Sequence, residues 1–169
     1  MAELVKRTNI ATFLDTTPSS STTLSLLGYG ITDYGQDYNA NVTTEKFIID
    51  DNATNTLDSY NISASATQTC YKGDAVYDYI NGLRRRAAVG DDVKSHVYDV
   101  DKYNYTGTGS SKQFEATKYE CIIVINSYAK GERPAIEYTI YYNGTPTLGT
   151  VQISDQGVAT FTEDSAVSL

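Results

Sequence analysis

Hydrophobic and polar positions change period along this chain, and the changes mark its elements. From Ser59 to Tyr71 the residues alternate. Tyr60, Ile62, Ala64, Ala66 and Cys70 share one face, and Asn61, Ser63, Ser65, Thr67 and Thr69 share the other. That period of two predicts a strand with one face on a core and a hydroxyl-rich face towards water or another subunit. Gly73 to Gly90 then shifts to a helical period. Val76, Ile80, Leu83 and Ala87 fall on one face and predict a single flanking helix over about 74–88. Asp74 is placed to cap its first turn, and Arg84, Arg85 and Arg86 lie where positive charge complements the dipole. Gly90 is placed to end it in a left-handed conformation.

The remaining segments read mostly as strands. Val93 to Tyr105 and Phe114 to Tyr128 predict a long pair joined around Gly107 and Gly109. Within the second strand, Cys121 to Ile125 is apolar on both faces, as expected of a strand buried on both sides. Ile136, Tyr138, Ile140 and Tyr142 alternate up to Asn143-Gly144, a turn signal, and Leu148–Ile153 with Val158–Phe161 predicts a last hairpin. Shorter strands are expected at Leu24–Tyr29 and Lys46–Asp50. Met1 to Asp15 keeps no clear period and reads as an arm, followed by the polar breaker Thr16 to Thr23. Gly30 to Glu45 is a long polar stretch of the kind ordered by function or by a neighbour. The expectation is one mainly-β domain over 1–169: two antiparallel sheets packed as a sandwich or partly closed barrel, with one flanking helix. Its parts are an arm and linker (1–22), the β-sandwich with its helix (23–162) and a short polar tail (163–169).

Composition narrows the function. Fifteen tyrosines and no tryptophan suit a β-rich fold with tyrosine-lined or polar surfaces. A formal charge of −8 argues against a protein that grips phosphates. Two cysteines, Cys70 and Cys121, make neither a disulfide framework nor a structural zinc site. Met1 to Asp15 lacks a signal-peptide core and no run reaches membrane-spanning length, so folding in a reducing cytoplasm is expected, without a membrane partner. The five Asn-X-Ser/Thr triplets at Asn41, Asn52, Asn61, Asn104 and Asn143 then read as a by-product of composition.

Catalytic and ligand motifs fail where their chemistry is decided. A Cys–His pair would have to join His96 to Cys70 or Cys121, both at inward strand positions where thiols are commonly buried and inert. Gly107 to Lys112 lacks the phosphate-loop spacing and leads into a strand where a helix is required. Asp50 to Asn61 begins like a calcium loop but has Asn55 in place of glycine and Asn61 in place of glutamate. No catalytic residue, cofactor or metal is expected.

Several pieces, in order, resemble the major tail (tail tube) proteins of long-tailed bacteriophages of Gram-positive hosts. They are Thr12-Phe13-Leu14-Asp15, Leu26 to Thr32, Tyr71 to Ile80, Asn143 to Val151 and Ala159-Thr160-Phe161. The resemblance implies a non-enzymatic structural virion protein, assembled in the host cytoplasm, whose hexameric rings stack into the tail tube. It implies as partners further copies of the chain, the tape-measure and tail-end proteins, and genomic DNA passing transiently through the lumen. Ring-to-ring or subunit contacts are expected from Phe13 and Leu14 of the arm and from Ile31, Asp33, Tyr34, Gln36, Asp37, Tyr38 and Asn39 of the polar stretch. The helix would pack through Val76, Ile80, Leu83 and Ala87. Two alternatives stand beside this: a tube protein of a contractile-tail or type VI secretion-like machine, and a surface carbohydrate-binding or adhesion module with a tyrosine-lined groove.

Overall fold

A computed structural model describes residues 2–165. Among them ten strands and one α-helix follow in the order β1 (Ile10–Asp15), β2 (Leu24–Leu27), β3 (Gly35–Asp37), β4 (Ala40–Glu45), β5 (Thr54–Tyr60), β6 (Ser63–Thr69), α1 (Ala75–Arg86), β7 (Lys94–Thr106), β8 (Gln113–Ala129), β9 (Ala135–Ile153) and β10 (Ala159–Glu163). All pairings are antiparallel, and the expected mainly-β architecture with one flanking helix is present. The barrel closes. Six strands run β9-β10-β2-β1-β7-β8, the seam made where Ala159 pairs with Leu24. The first half of β9 also pairs with β6, which carries β3 at its edge, while β4 and β5 form a separate two-stranded ribbon.

Strand β9 serves two sheets, so it must bend. The bend falls at Asn143-Gly144, where the sequence predicted a turn. The strand continues, because β8 runs alongside as one partner: Glu120 pairs with Asn143 and Lys118 with Thr147. The extra residues bulge out, and Gly144 takes a φ of 69°. A glycine-bearing bulge redirects a strand without ending it.

Two apolar clusters lie on opposite sides of the sheet. One fills the barrel, from Phe13, Tyr98, Val100, Val151 and Ala159 with Phe161 alongside. The other lies under the helix and joins Leu14, Val97, Cys121, Ile123, Tyr138 and Ile140 to Val76, Ile80 and Leu83. Phe13 therefore faces the barrel interior and Leu14 the helix cluster. A strand covered on both faces has no alternation, which is why 10–15 read as an unanchored arm. Residues 10–15 are instead strand β1, paired with both β2 and β7, and Phe13 and Leu14, expected at contacts, are buried in the chain's own core. The Thr16–Thr23 linker is likewise a pinned turn. Oδ1 of the buried Asp15 accepts from the backbone N–H groups of Thr17 at 3.0 Å and Thr23 at 3.2 Å. Cys121 to Ile125 departs from expectation in the other direction, since Val124 is exposed. Residues 166–169 of the expected tail lie outside the described residues, and Glu163 belongs to β10.

The helix starts as its sequence predicts and ends earlier. Oδ2 of Asp74 accepts from the Tyr77 N–H at 2.8 Å, and Val76, Ile80 and Leu83 are buried. Ala87, expected on the packing face, is exposed and left-handed at φ 47°. Its N–H bonds to Arg84 O and that of Ala88 to Leu83 O, a Schellman ending with alanine where glycine is usual. Ala88 supplies the apolar contact, and Gly90 lies beyond the helix in a short 3-10 turn. No helix among the described residues is long and apolar enough to cross a membrane.

Candidate assembly surfaces

The polar stretch read as a loop contains two strands and a strap. After β2 the chain crosses the edge of β6: Thr69 N–H donates to Gly30 O, Ile31 bridges Gln68, and β3 pairs Gly35 to Asp37 with Ser65 to Ser63. Side chains tie the strap down. Tyr34 and Tyr142 share a hydroxyl hydrogen bond of 2.8 Å, and burial drives the Tyr34 pKa far upward. Gln36 Nε2 donates to Asp99, whose other oxygen accepts from Thr12 Oγ1 at 3.0 Å. Burial raises the Asp99 pKa against the lowering effect of these two bonds.

Beneath the strap sits Gln68, buried in β6. Its Nε2 donates to Tyr29 O at 2.9 Å and to Asp74 Oδ2 at 3.0 Å, and its Oε1 accepts from Tyr138 Oη at 3.1 Å. One amide thus couples strap, helix cap and sheet. Sequence reasoning missed it; the signal was a glutamine at an inward position of an alternating strand.

These contacts divide the contact residues expected from sequence. Ile31 and Tyr34 pack against the helix cluster and Gln36 is held by Asp99, so all three serve the chain's own fold. Asp33, Asp37, Tyr38 and Asn39 are exposed. Asn39 is a bend: its φ is 45°, and its Nδ2 donates to Asn61 O at 3.0 Å. Opposite it the predicted Ser59–Tyr71 strand breaks at Asn61-Ile62 into β5 and β6. Tyr38 packs edge-on against Tyr60 at 5.5 Å.

Beyond this bend β4 and β5 leave the body, every residue of both strands exposed. The segment 46–50, predicted as a strand, is the connection at the tip. There Phe47, Ile48 and Ile49 are 64%, 105% and 88% exposed. A two-stranded ribbon without a core is marginal alone, and three adjacent large apolar residues in water mark an interaction surface.

The body offers two further surfaces. β7 pairs with β8 only as far as Lys94 with Ile122, so on that side Ile123 to Ala129 has no strand partner among the described residues. The sheet face turned away from the helix is rich in hydroxyls. Asn126 Nδ2 donates to Thr139 Oγ1 at 2.8 Å, and Thr139 and Ser65 hydroxyls lie 3.0 Å apart. Ser63, Thr67, Glu137 and Tyr141 continue this face, and Lys94, in register with Ile122, lies on it at the β7 side.

The concavities offer less chemistry. A 360 Å³ groove is lined by Tyr34, Tyr38, Tyr119, Asp99 and Asp101, but Tyr34 is bonded inward and Tyr38 lies against Tyr60. A 770 Å³ groove beside the Thr16–Ser20 turn contains His96 and Cys121. Register puts them on opposite faces, His96 opposite Glu120 and Cys121 opposite Ser95. Burial pushes the Cys121 thiol up to about 12, and His96 Nδ1 is 3.8 Å from Asp15 Oδ2. No group of three or more potential metal ligands occurs among the described residues.

No protein-family model and no curated protein matches the sequence. Solved structures do. The tail of an empty GTA particle, computed with helical refinement and C6 symmetry, matches with a TM-score of 0.59 at 11% identity, over 85% of this chain and 98% of that one. In fold, this chain resembles a particle tail. An extracellular contractile injection system, the PVC sheath–tube complex in its extended state, matches with a TM-score of 0.47 at 8% identity, over 88% of this chain and 93% of that one.

Proposed function

We propose that this chain is the wall subunit of a tail tube in a phage or phage-like particle, six copies closing a ring and rings stacking into a conduit for DNA. The observation that carries the reading is the fold shared with the C6-symmetric GTA tail over nearly its whole length. Ring closure is supported by the unpaired Ile123–Ala129 edge, since an open edge in a soluble protein is normally blocked, as the strap blocks β6. Joined head to tail, such edges make a heterologous contact that closes when the rotation allows. Ring-to-ring contact falls to the ribbon, to the exposed Asp37 and Tyr38 at its base, and to the exposed Asp33 of the strap. The hydroxyl-rich face lines the channel. With hydroxyls and Glu137 at its centre, and a chain charge of −8, it lets a duplex pass without gripping phosphates. The tape-measure protein occupies the lumen before DNA does, and tail-end proteins close the two ends.

Electron microscopy of the purified protein tests this directly: rings and tubes with six-fold symmetry are expected. Replacing residues 40–60 by a two-glycine turn between Asn39 and Asn61 should leave a folded subunit that forms no tubes. Normal tubes from that variant would contradict the ribbon's role. In particles, Ser65→Lys with Thr67→Lys should slow DNA exit, and unchanged ejection would remove the hydroxyl face from the lumen.

A further inference from the structure

Two asparagines of the chain precede glycine, Asn81 and Asn143, and the fold treats them differently. Asn81-Gly82 lies inside α1, where the Gly82 N–H belongs to the helix ladder. The Asn81 side-chain oxygen accepts from Arg84 Nε at 2.9 Å and Nη2 at 2.8 Å, so its amide is held as well. Asn143-Gly144 lies at the bend of β9, and both residues are exposed. Asn143 is in register with Glu120 of β8, and that register resumes only at Thr147 with Lys118. On the other side β6 has already ended, with Ser63 opposite Tyr141, and β10 reaches only to Leu148, whose O accepts from the Asp164 N–H. Gly144, Thr145 and Pro146 therefore have no register partner among the described residues. Backbone N–H groups alternate sides along a strand. That of Tyr142 donates to Ile62 O, so that of Gly144 turns to the same side, past the end of β6. A carboxamide and the next residue's unladdered nitrogen thus stand together at an open bulge, and the glycine there has no side chain to shield them.

We propose that Asn143 is a self-modification site, its side-chain carbonyl carbon attacked by the backbone nitrogen of Gly144. The new C–N bond closes a cyclic imide, the carboxamide C–N bond breaks, and the side-chain nitrogen leaves as ammonia with the proton that Gly144 gives up. Water then opens the imide at either carbonyl and yields aspartate or isoaspartate. In isoaspartate the backbone runs through the former side chain and is one carbon longer. Water is the sole co-reactant, and nothing is oxidised or reduced. The aspartate product places a carboxylate directly across from Glu120, in the groove that Asp91 and Asp92 also line. Like charges directly opposite each other on antiparallel strands are destabilising. This position is also where β9 passes from the sheet under the helix to the barrel, so a longer backbone here alters the joint between them. The inference stands apart from the tube reading, because a single copy carries every group it needs.

Peptide mass spectrometry of the folded wild-type protein, incubated at mildly alkaline pH and then digested, tests this. The Asn143 peptide should gain the mass difference between an amide and an acid, and should separate into aspartate and isoaspartate forms. Isotope-labelled water present only during the incubation should leave one labelled oxygen in each product, which dates the conversion to the folded protein. Helix α1 must open locally before Gly82 can react, so conversion at Asn143 should outrun that at Asn81 by about tenfold or more. Asn143→Gln, which would have to close a larger ring, should stay unconverted over the same time. Asn143→Asp should melt about 2 °C below wild type, and adding Glu120→Gln should recover the difference. Equal rates at the two asparagines, or aspartate with no isoaspartate, would overturn the proposed site. An Asn143→Asp variant that melts with the wild type would overturn the consequence drawn at Glu120.

Discussion

Replacing Gln68 with methionine keeps the volume of this side chain and removes its three hydrogen bonds. The Asp74 oxygen still receives the Tyr77 N–H, so the cap survives. Tyr29 O loses a donor, and Tyr138 Oη, on a fully buried ring, loses its acceptor. An orphaned buried group costs about 1–3 kcal/mol, so Gln68→Met should cost about 3 kcal/mol in total. In a domain of this size that lowers the melting temperature by roughly 6–12 °C. Tyr138→Phe alone orphans Gln68 Oε1 and should cost about 1 kcal/mol. The combined variant has no orphan between them, so it should be more stable than the sum of the two losses by about 1 kcal/mol. Denaturant titration of the isolated subunit, below its assembly concentration, measures all four proteins. Strict additivity would refute the claim that this amide is what holds the Tyr138 hydroxyl. A Gln68→Met loss under 1 kcal/mol would refute its role as the joint between strap, helix and sheet.

Other expectations follow from single positions. Ala87→Gly relieves a left-handed alanine and should stabilise the subunit by about 1 kcal/mol in the same titration; a loss would mean the Schellman ending is misassigned. Gly149→Ala would bring a Cβ within 2.3 Å of Thr162 O and 2.5 Å of the Phe161 ring, so it should cost about 2–3 kcal/mol by prising β10 from β9; a neutral result would discount that seam. Asp99 has a folded pKa raised above its ordinary 3.8, so the folded state holds this proton more tightly than the unfolded chain. Its protonation adds stability that is fully present below the ordinary value and lost as pH rises through the raised one. Asp99→Asn should flatten that part of the melting-temperature profile and melt higher near neutral pH, with Gln36 turning its amide to accept. An unchanged profile would show that another group carries the dependence.

What was legible in the sequence was whatever had one wet face. The alternation around Ala64 and Ala66 and the helical spacing of Val76, Ile80 and Leu83 gave both elements nearly as they stand. Strand β1 was hidden because Phe13 and Leu14 are both dry, facing different clusters. The ribbon was hidden for the converse reason: both of its faces are wet in a single copy, so no period marks it. Asn143-Gly144 has the residues of a turn, but whether a left-handed glycine turns a chain or bulges it depends on the partner strand. The candidate contact residues divided likewise. Whether Tyr34 and Gln36 point outward was fixed by Tyr142 and Asp99, more than sixty residues away.

The two hidden strands together bear on what the molecule is for. A chain that buries β1 on both faces and closes its barrel has already met the usual requirements of a stable monomer. Extending a coreless ribbon then adds ordering cost with no burial inside the same copy to offset it. Its apolar tip adds an aggregation hazard of the kind the strap removes from β6. Blocking one edge while displaying another sticky surface is consistent if association is wanted at chosen places and nowhere else. The unpaired β8 edge and the acidic, apolar-tipped ribbon are two such places, with different chemistries. Hydrogen-bonding edges can join copies side by side, and an apolar tip carried away from the body can join them end to end. Because the chemistries differ, lateral and axial association should respond to different perturbations: if copies close into rings that stack, Ile48→Asp at the ribbon tip should weaken stacking before it opens rings.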